Sequence, residues 1–524
     1  MTSKPNSSRN YFYWAIASFF GFLAFMMQPT AYTWGEQDMM PFFERVFDSA
    51  YLSNDFFTNT TVIKNPRWVF GYIVVSLSWL TTLPWYTILY FLKLVFLTLS
   101  PVLYFEVLVA LLRKYIDEKK LEQILPFVLL GLIAMVFLKE FRYYFSVASW
   151  LAYTPAMNAY NISIVLGFAG LVLKEHGRHP LVYLAFFFIS CLVHPVMGLF
   201  TIGFYTVCSI PKINNERKAM LAIIASGVSA VLAVKFIFAT QQPLPASEFI
   251  EIYAKERHPW HYSVVDFFNR KGDWGIFFVG MNLLFAAPLV HGLFRKRTEV
   301  WQIALAGLLA YSGSIVLQYV FIDIFPSKLI TYIGVSRFTT FGYWIALLLW
   351  GLILCDSLKE GKLFAPLQMR SGFFYTVLAN FIIVGLVFLD SPLEGRYRNS
   401  NAYYDFVQST AKDAIFATYS QPLNTDIRLV GRRGVFVGDE FPFAEQYIRE
   451  YGERRQLMYG SRLDERTGTA FYRNLKPVDF IEISEKYQLD YIVIETKFNT
   501  EFSGYEPVWK NNKHSIYSIE NLRL

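Results

Sequence analysis

Apolar residues run in long, nearly uninterrupted blocks through the first 390 positions, and the pattern changes abruptly after that. A hydrocarbon core about 30 Å thick needs about 20 apolar residues per helix. Runs that meet or approach this lie at 11–30, 67–83, 84–112, 123–139, 143–173, 180–211, 217–239, 273–294, 299–324, 331–356 and 372–390. They predict a polytopic, mostly α membrane protein of about eleven transmembrane helices. From about 393 the blocks give way to short mixed elements. Helices are predicted over 402–418, 442–451 and 478–487, and strands over 434–438 and 490–495, the second rich in β-branched and aromatic residues. The stretches 507–509 and 515–518 read as an edge hairpin. The result is a small α/β domain at 392–524, long enough for a core of its own. The transmembrane domain takes 1–391, with long loops at 31–66 and 240–272. Loops of that length are uncommon unless they line a site or carry a small domain.

Composition sharpens this. Hydrophobic residues make up 54% of the 524 and charged ones only 17%, with a mean hydropathy of +0.32, whereas a soluble domain carries about 25% charge. Residues 392–524 hold 18 Lys/Arg and 19 Asp/Glu; the first 391 hold 30 and 22. A basic apolar body is thus joined to a nearly neutral, soluble-looking tail. A cytosolic enzyme, a disordered chain and a nucleic-acid binder are excluded. The formal charge of +7 is the surplus that collects in cytoplasmic loops. Cys191, Cys208 and Cys355 all fall inside apolar runs, so no disulfide framework is expected. The basic N-terminus leads into a long apolar run with no small-residue cleavage site, which reads as an uncleaved first span.

The positive-inside rule assigns sides. Arg295-Lys296-Arg297, the Lys359/Lys363/Arg370 segment and Lys212/Arg217/Lys218 should face the cytoplasm. That places the N-terminus inside and both long loops and the tail outside, in what reads as a bacterial inner membrane. One conflict remains: five spans between 66 and 212 put Arg113-Lys114 and Lys119-Lys120 outside, against the rule. The break at Thr81-Thr82-Leu83-Pro84 favours two helices there all the same.

Candidate chemistry gathers on the outer side. The first long loop carries Glu36, Asp38, Glu44, Asp48 and Asp55. Carboxylates at a membrane interface suit a general base toward a sugar hydroxyl or a ligand to a hard divalent cation, though a solvated loop also carries acids. Glu36 and Asp38 are nearest the first span. The second loop holds Arg257-His258-Pro259-Trp260-His261-Tyr262. Without cysteines or further histidines this is a weak zinc site; Arg with His and Tyr better fits an anionic phosphate. An interfacial loop with an aromatic anchor would look the same. Ionisable residues inside apolar runs are site candidates by default. Lys93 and Lys235 can snorkel, and Arg142 reads as a helix-end charge. His194, before Pro195, is either a core histidine at a helix break or a ligand to substrate. Arg337, near the outer end of its span, is harder to dismiss. No Walker motif, dinucleotide loop, nucleophile elbow or HExxH is present, which argues against an ATP-driven motor and a soluble-type hydrolase.

The layout resembles the GT-C superfamily of polytopic glycosyltransferases, which use polyprenyl-phosphate-linked sugars. The likeness rests on the acidic first loop at Glu36/Asp38 and on many spans with a soluble C-terminal domain. The segments Tyr51-Leu-Ser-Asn-Asp55, Arg257–Tyr262 and Leu192-Val-His-Pro195 look more like a bacterial branch of that superfamily. The paired Asp-Asp or Asp-Glu of many members is absent, since Gln37 separates Glu36 from Asp38. The resemblance implies transfer of a sugar from a polyprenyl-phosphate donor to a glycan, lipid or protein acceptor, in cell-envelope polysaccharide biosynthesis. Asp38 would be the base, and Glu36 a helper or ligand to Mg or Mn. Arg257, His258, His261 and Arg337 would meet the leaving phosphate, with Tyr262, His194 and Asp55 lining the site. Tyr32, Trp34 and Trp260 would stack on sugars. The alternatives are a glycan polymerase or ligase, or a lipid-linked glycan transporter. A transporter should show internal repeats, and none appears.

Overall fold

The computed structural model describes residues 7–26, 39–62, 67–137, 157–237, 243–257, 259–271, 280, 282–357, 401–438, 442, 444–460, 465–498 and 500–524. The chain divides into two compact units. One comprises Met1–Ala31, Thr82–Ile237 and Pro259–Asp390; the other comprises Tyr32–Thr81, Phe238–His258 and Ser391–Leu524. The second unit therefore takes in much of both long loops together with the tail.

The first unit is a helical body. Its main helices are α1 (Ser7–Met26), α2 (Trp85–Arg113), α3 (Glu118–Phe137), α4 (Ala159–Glu175), α5 (Pro180–Val193), α6 (Pro195–Ser209), α7 (Ile213–Ile237), α8 (Ala287–Phe294), α9 (Thr298–Gln318) and α10 (Gly342–Ser357). Among the described residues four stretches are long and apolar enough to cross a membrane: Trp85–Arg113, Pro195–Ile237, Thr298–Ile324 and Lys328–Asp356. Tyr11–Met26, Trp68–Thr81, Pro180–Val193 and Leu283–Phe294 are shorter apolar helices. The described helices do not carry a count of eleven full spans.

Two of the expected spans need correction. The run 180–211 is not one helix. His194 is the C-cap of α5 and the N-cap of α6, with φ −151° and ψ 97°, and Pro195 cannot continue a helix from before it. The two helices fold back on each other: Phe187 meets Tyr205 at 6.4 Å, and a Cβ on Gly198 would lie 2.7 Å from the backbone of Cys191. At 1.5 Å per residue each arm is about 21–23 Å long. The run 67–83 forms a helix of 14 residues, Trp68–Thr81, equally short, and it belongs to the second unit. Helices α1 and α2 are antiparallel, Trp14 Nε1 donating to Glu106 at 2.6 Å and Phe25 packing on Tyr90 at 5.2 Å. Met26 and Trp85 therefore lie at the same end of the unit.

These corrections remove the charge conflict. Lys114 Nζ pairs with Glu175 at 3.2 Å and with Glu216 at 2.8 Å. Lys174 pairs with Glu216, Lys212 donates to the Lys114 carbonyl, and the Tyr115 hydroxyl donates to Cys208 O at 2.6 Å. Arg297 pairs with Asp356, whose neighbour Cys355 contacts Lys120 O at 3.9 Å. The loops around 113–120, 174–179, 210–218 and 295–299 thus share one end of the unit. The basic segments that seemed to fall on opposite sides are together.

In the second unit a five-stranded sheet has the order β2-β1-β3-β5-β4: β1 (Ile415–Thr418), β2 (Gly434–Val435), β3 (Tyr491–Glu495), β4 (Trp509–Lys510) and β5 (His514–Ser518). β1 lies parallel to β2 and β3, while β5 is antiparallel to both β3 and β4. The expected helix over 402–418 is split: Asn401–Ser409 is helical and β1 follows. All four β1 residues are buried, and pairing on both edges outweighs their helix propensity. Helices Gln421–Leu429 and Glu465–Arg473 were not foreseen. The core is completed from the first long loop. Phe57 is fully buried among Val407, Phe416, Tyr451 and Ile492, and Ile252 packs against the same cluster.

Candidate functional site

The first unit places three of the expected site residues at the end remote from the basic loops. Helix α9 starts beside Arg297 and ends at Gln318, whose side chain is buried. Gln318 Nε2 donates to Tyr262 O at 2.9 Å, and its Oε1 accepts from the Ser336 N–H at 2.9 Å. One amide thus fixes two separate segments. Asp323, just beyond α9, accepts from Ser263 Oγ at 2.9 Å and from Val264 N–H at 3.3 Å, which caps the helix Val264–Lys271. Between these anchors Arg337 Nη2 donates to the Tyr262 hydroxyl at 2.5 Å. The guanidinium carbon sits 5.1 Å from the centroid of the Tyr262 ring. Gly334 makes this possible. Its φ is +56°, and a Cβ there would lie 3.1 Å from Arg337 Nε and 3.2 Å from Tyr262 Cε1.

His194 joins the same end through Tyr160. The two rings meet edge-on at 6.0 Å, and the Tyr160 hydroxyl donates to Thr340 Oγ1 at 3.5 Å, three residues after Arg337. His194 Nδ1 accepts from the Met197 N–H at 3.3 Å, so the ring also caps α6. Chemically the cluster offers a fixed guanidinium, two phenols, an imidazole and a threonine hydroxyl. That is a donor-rich setting for an anionic oxygen. Sequence reading missed Tyr160, Gln318 and Thr340. A glutamine at the end of an apolar run is a signal that could have found Gln318, because a polar group there needs partners.

The remaining expected residues lie elsewhere. Asp55 is fully buried in the second unit. Its Oδ2 accepts from Thr58 N–H and Oγ1, both at 2.7 Å, its Oδ1 accepts from Val435 N–H at 2.8 Å, and Arg428 pairs with it at 3.2 Å. A carboxylate so committed braces the α/β unit from within. Arg257 is also buried and ends the helical turn Glu251–Arg257 in the second unit. Glu36, Asp38, Tyr32, Trp34, Arg142 and His258 lie outside the described residues, as do the side chains of Trp260 and His261. Among the described residues no three His, Cys, Asp or Glu side chains converge as metal ligands.

No protein-family model and no curated protein matches the chain. Among solved structures it is similar to the archaeal oligosaccharyltransferase AglB from Archaeoglobus fulgidus, a GT-C superfamily member, in complex with an inhibitory peptide and a dolichol-phosphate. The identity is 9%, 95% of this chain and 70% of that one are covered, and the TM-score is 0.45. The apo form of the Archaeoglobus fulgidus oligosaccharyltransferase gives 10% identity, 94% and 70% coverage and a TM-score of 0.43. The form tethered to an acceptor peptide gives 10%, 93% and 69%, and 0.40. These scores describe a likeness of layout. Activity has to come from the chain's own residues.

Proposed function

We propose that the protein is an integral membrane glycosyltransferase that moves a sugar from a polyprenyl-phosphate donor to a glycan, lipid or protein acceptor at the extracytoplasmic face. The observation that carries this reading is the Arg337–Tyr262 pair, held by Gln318 at the end of the helical body away from the basic loops. Basic loops mark the cytoplasmic side, so the opposite end is where an outer-leaflet lipid phosphate would dock. The guanidinium lies over the Tyr262 ring and donates to its hydroxyl, and a guanidinium is the side chain whose planar fork matches phosphate oxygens. Neutralising the leaving phosphate is the electrostatic part of the reaction. Asp38, in the acidic first loop, is the proposed base for the acceptor hydroxyl, attacking opposite the departing phosphate with inversion, and Glu36 its helper. His194 and Tyr262 orient the donor, while Arg257, His258 and His261 are secondary candidates for the phosphate.

The test is to incubate membranes holding the full-length protein with polyprenyl-phosphate sugars. Asp38→Asn should lose kcat by about 10²–10⁴-fold with little change in donor affinity, as expected for a lost general base. Arg337→Ala should instead weaken donor binding, by about 1.5–3 kcal/mol for one charged contact. Full turnover by both variants would overturn the assignment. An unchanged donor affinity in a folded Arg337→Ala protein would move the phosphate role to the second loop.

A further inference from the structure

A second cluster of chemistry-bearing side chains lies at one end of the sheet in the second unit. β1 connects through Gln421–Leu429 to β2 on one side of it, and the chain then crosses to β3 on the other side. The connections leaving the carboxyl ends of the adjacent parallel strands β1 and β3 therefore diverge. In open α/β sheets that divergence leaves a crevice where ligands bind. At this point the chain has placed a group of polar and aromatic side chains. Tyr419 follows directly on β1, and its hydroxyl hydrogen-bonds His514 Nε2 at 2.9 Å. Glu495 ends β3 opposite His514. Arg473 Nε donates to Glu495 Oε2 at 2.6 Å, and its guanidinium carbon lies 4.3 Å from the centroid of the Phe498 ring. Lys497 Nζ is 3.6 Å from Glu495.

We infer that this cluster is a glycan-binding site that holds a neutral sugar residue. Three features select that ligand. The Glu495 carboxylate is shared by Arg473 and Lys497, so both cations already have a counter-charge and neither is a bare docking point for an anion. The Arg473 and Glu495 groups are planar forks, and such forks address two neighbouring hydroxyls at once. Phe498, 39% exposed with Arg473 and Lys497 over its ring, and Tyr419, packed beside His514, present aromatic carbon next to a phenol and an imidazole, which suits the mixed CH and OH surface of a pyranose. Arg473 remains 31% exposed, so the pair is open to a ligand and not sealed in the core. Burial also holds the His514 imidazole below its ordinary pKa, which keeps it neutral at physiological pH and able to both give and accept a hydrogen bond. The inference stands on the α/β fold of this unit and not on the transfer reaction proposed above.

The experiment is saturation-transfer NMR on the full-length protein in detergent, with maltotriose, mannotriose and chitotriose as probes and no lipid donor. At least one probe should receive saturation. Phe498→Ala and Glu495→Gln should cut that signal at least fivefold with an unchanged melting temperature, and inorganic phosphate should not compete. If Tyr419→Ala fails to fold, the exposed Phe498→Ala carries the comparison. No transfer to any of the three sugars, equal transfer in the variants, or displacement by phosphate would overturn the proposal. Because Arg337→Ala leaves this cluster untouched, it should keep full sugar binding. Failure of the transferase reading is thereby separable from failure of this one.

Discussion

Gly334 shows how one residue sets the reach of another. An L residue in the left-handed region costs about 1–2 kcal/mol, and here its Cβ would also press on Arg337 Nε and the Tyr262 ring. Gly334→Ala should therefore lower donor affinity as Arg337→Ala does, with a melting temperature close to wild type; donor titration of the two variants side by side checks this. A second residue-scale effect concerns pH. Burial lowers the His514 pKa, while Glu495 opposes that shift and Lys513 adds to it. The unfolded chain then binds this proton more readily than the folded one, so stability is present above the unfolded pKa of about 6.5 and is lost as pH falls through the folded value. Melting of the wild-type protein at pH 7.5 and pH 5 should differ more than melting of His514→Gln. An equal pH response in the two proteins would show that His514 contributes nothing to it.

At the scale of elements, the hairpin turning at His194 decides the topology. With α5 and α6 returning to the end they left, Lys119→Cys and Lys218→Cys should react alike with a membrane-impermeant thiol reagent in oriented vesicles. Ser327→Cys should behave oppositely. Matching behaviour at all three positions would sink the assignment of ends. The sequence announced some of this and concealed the rest. The apolar runs, the Thr81–Pro84 break and the strand 490–495 are visible because each is a local property of composition. Hydropathy does not register a reversal inside an apolar run, so 180–211 reads as one span although His194-Pro195 marks its midpoint. The helix Trp68–Thr81 is apolar enough to pass for a span and differs only in length. Arg337 and Tyr262 were legible as isolated oddities; their pairing was not, because 75 residues separate them. Asp55 is legible as one acid of the first loop, expected to line the site, but nothing local reveals its pairing with Arg428 and Val435.

For the whole molecule, the consequence of that buried pair is that the tail is not self-sufficient. Asp55 and Arg428 are 0% and 2% exposed, and removing one member of such a pair costs about 3–5 kcal/mol. The Tyr51 hydroxyl donates to Arg428 O at 2.7 Å, Leu244 N–H donates to Glu445 at 2.6 Å, and Arg449 grips Glu248 at 2.7 Å. Residues 391–524 expressed alone should thus melt non-cooperatively or well below the full-length protein, and adding a peptide spanning 39–62 should raise the transition. A cooperative melt of the tail at the full-length temperature would contradict this. The same arrangement has a bearing on biosynthesis. Asp55 and Val435 stand 380 residues apart in the chain, and a ribosome adding about 5–20 residues per second needs about 20–80 s to make that distance. Throughout that interval Phe57 has no core to enter, so the first long loop is made early and waits until the last strands of its own sheet arrive.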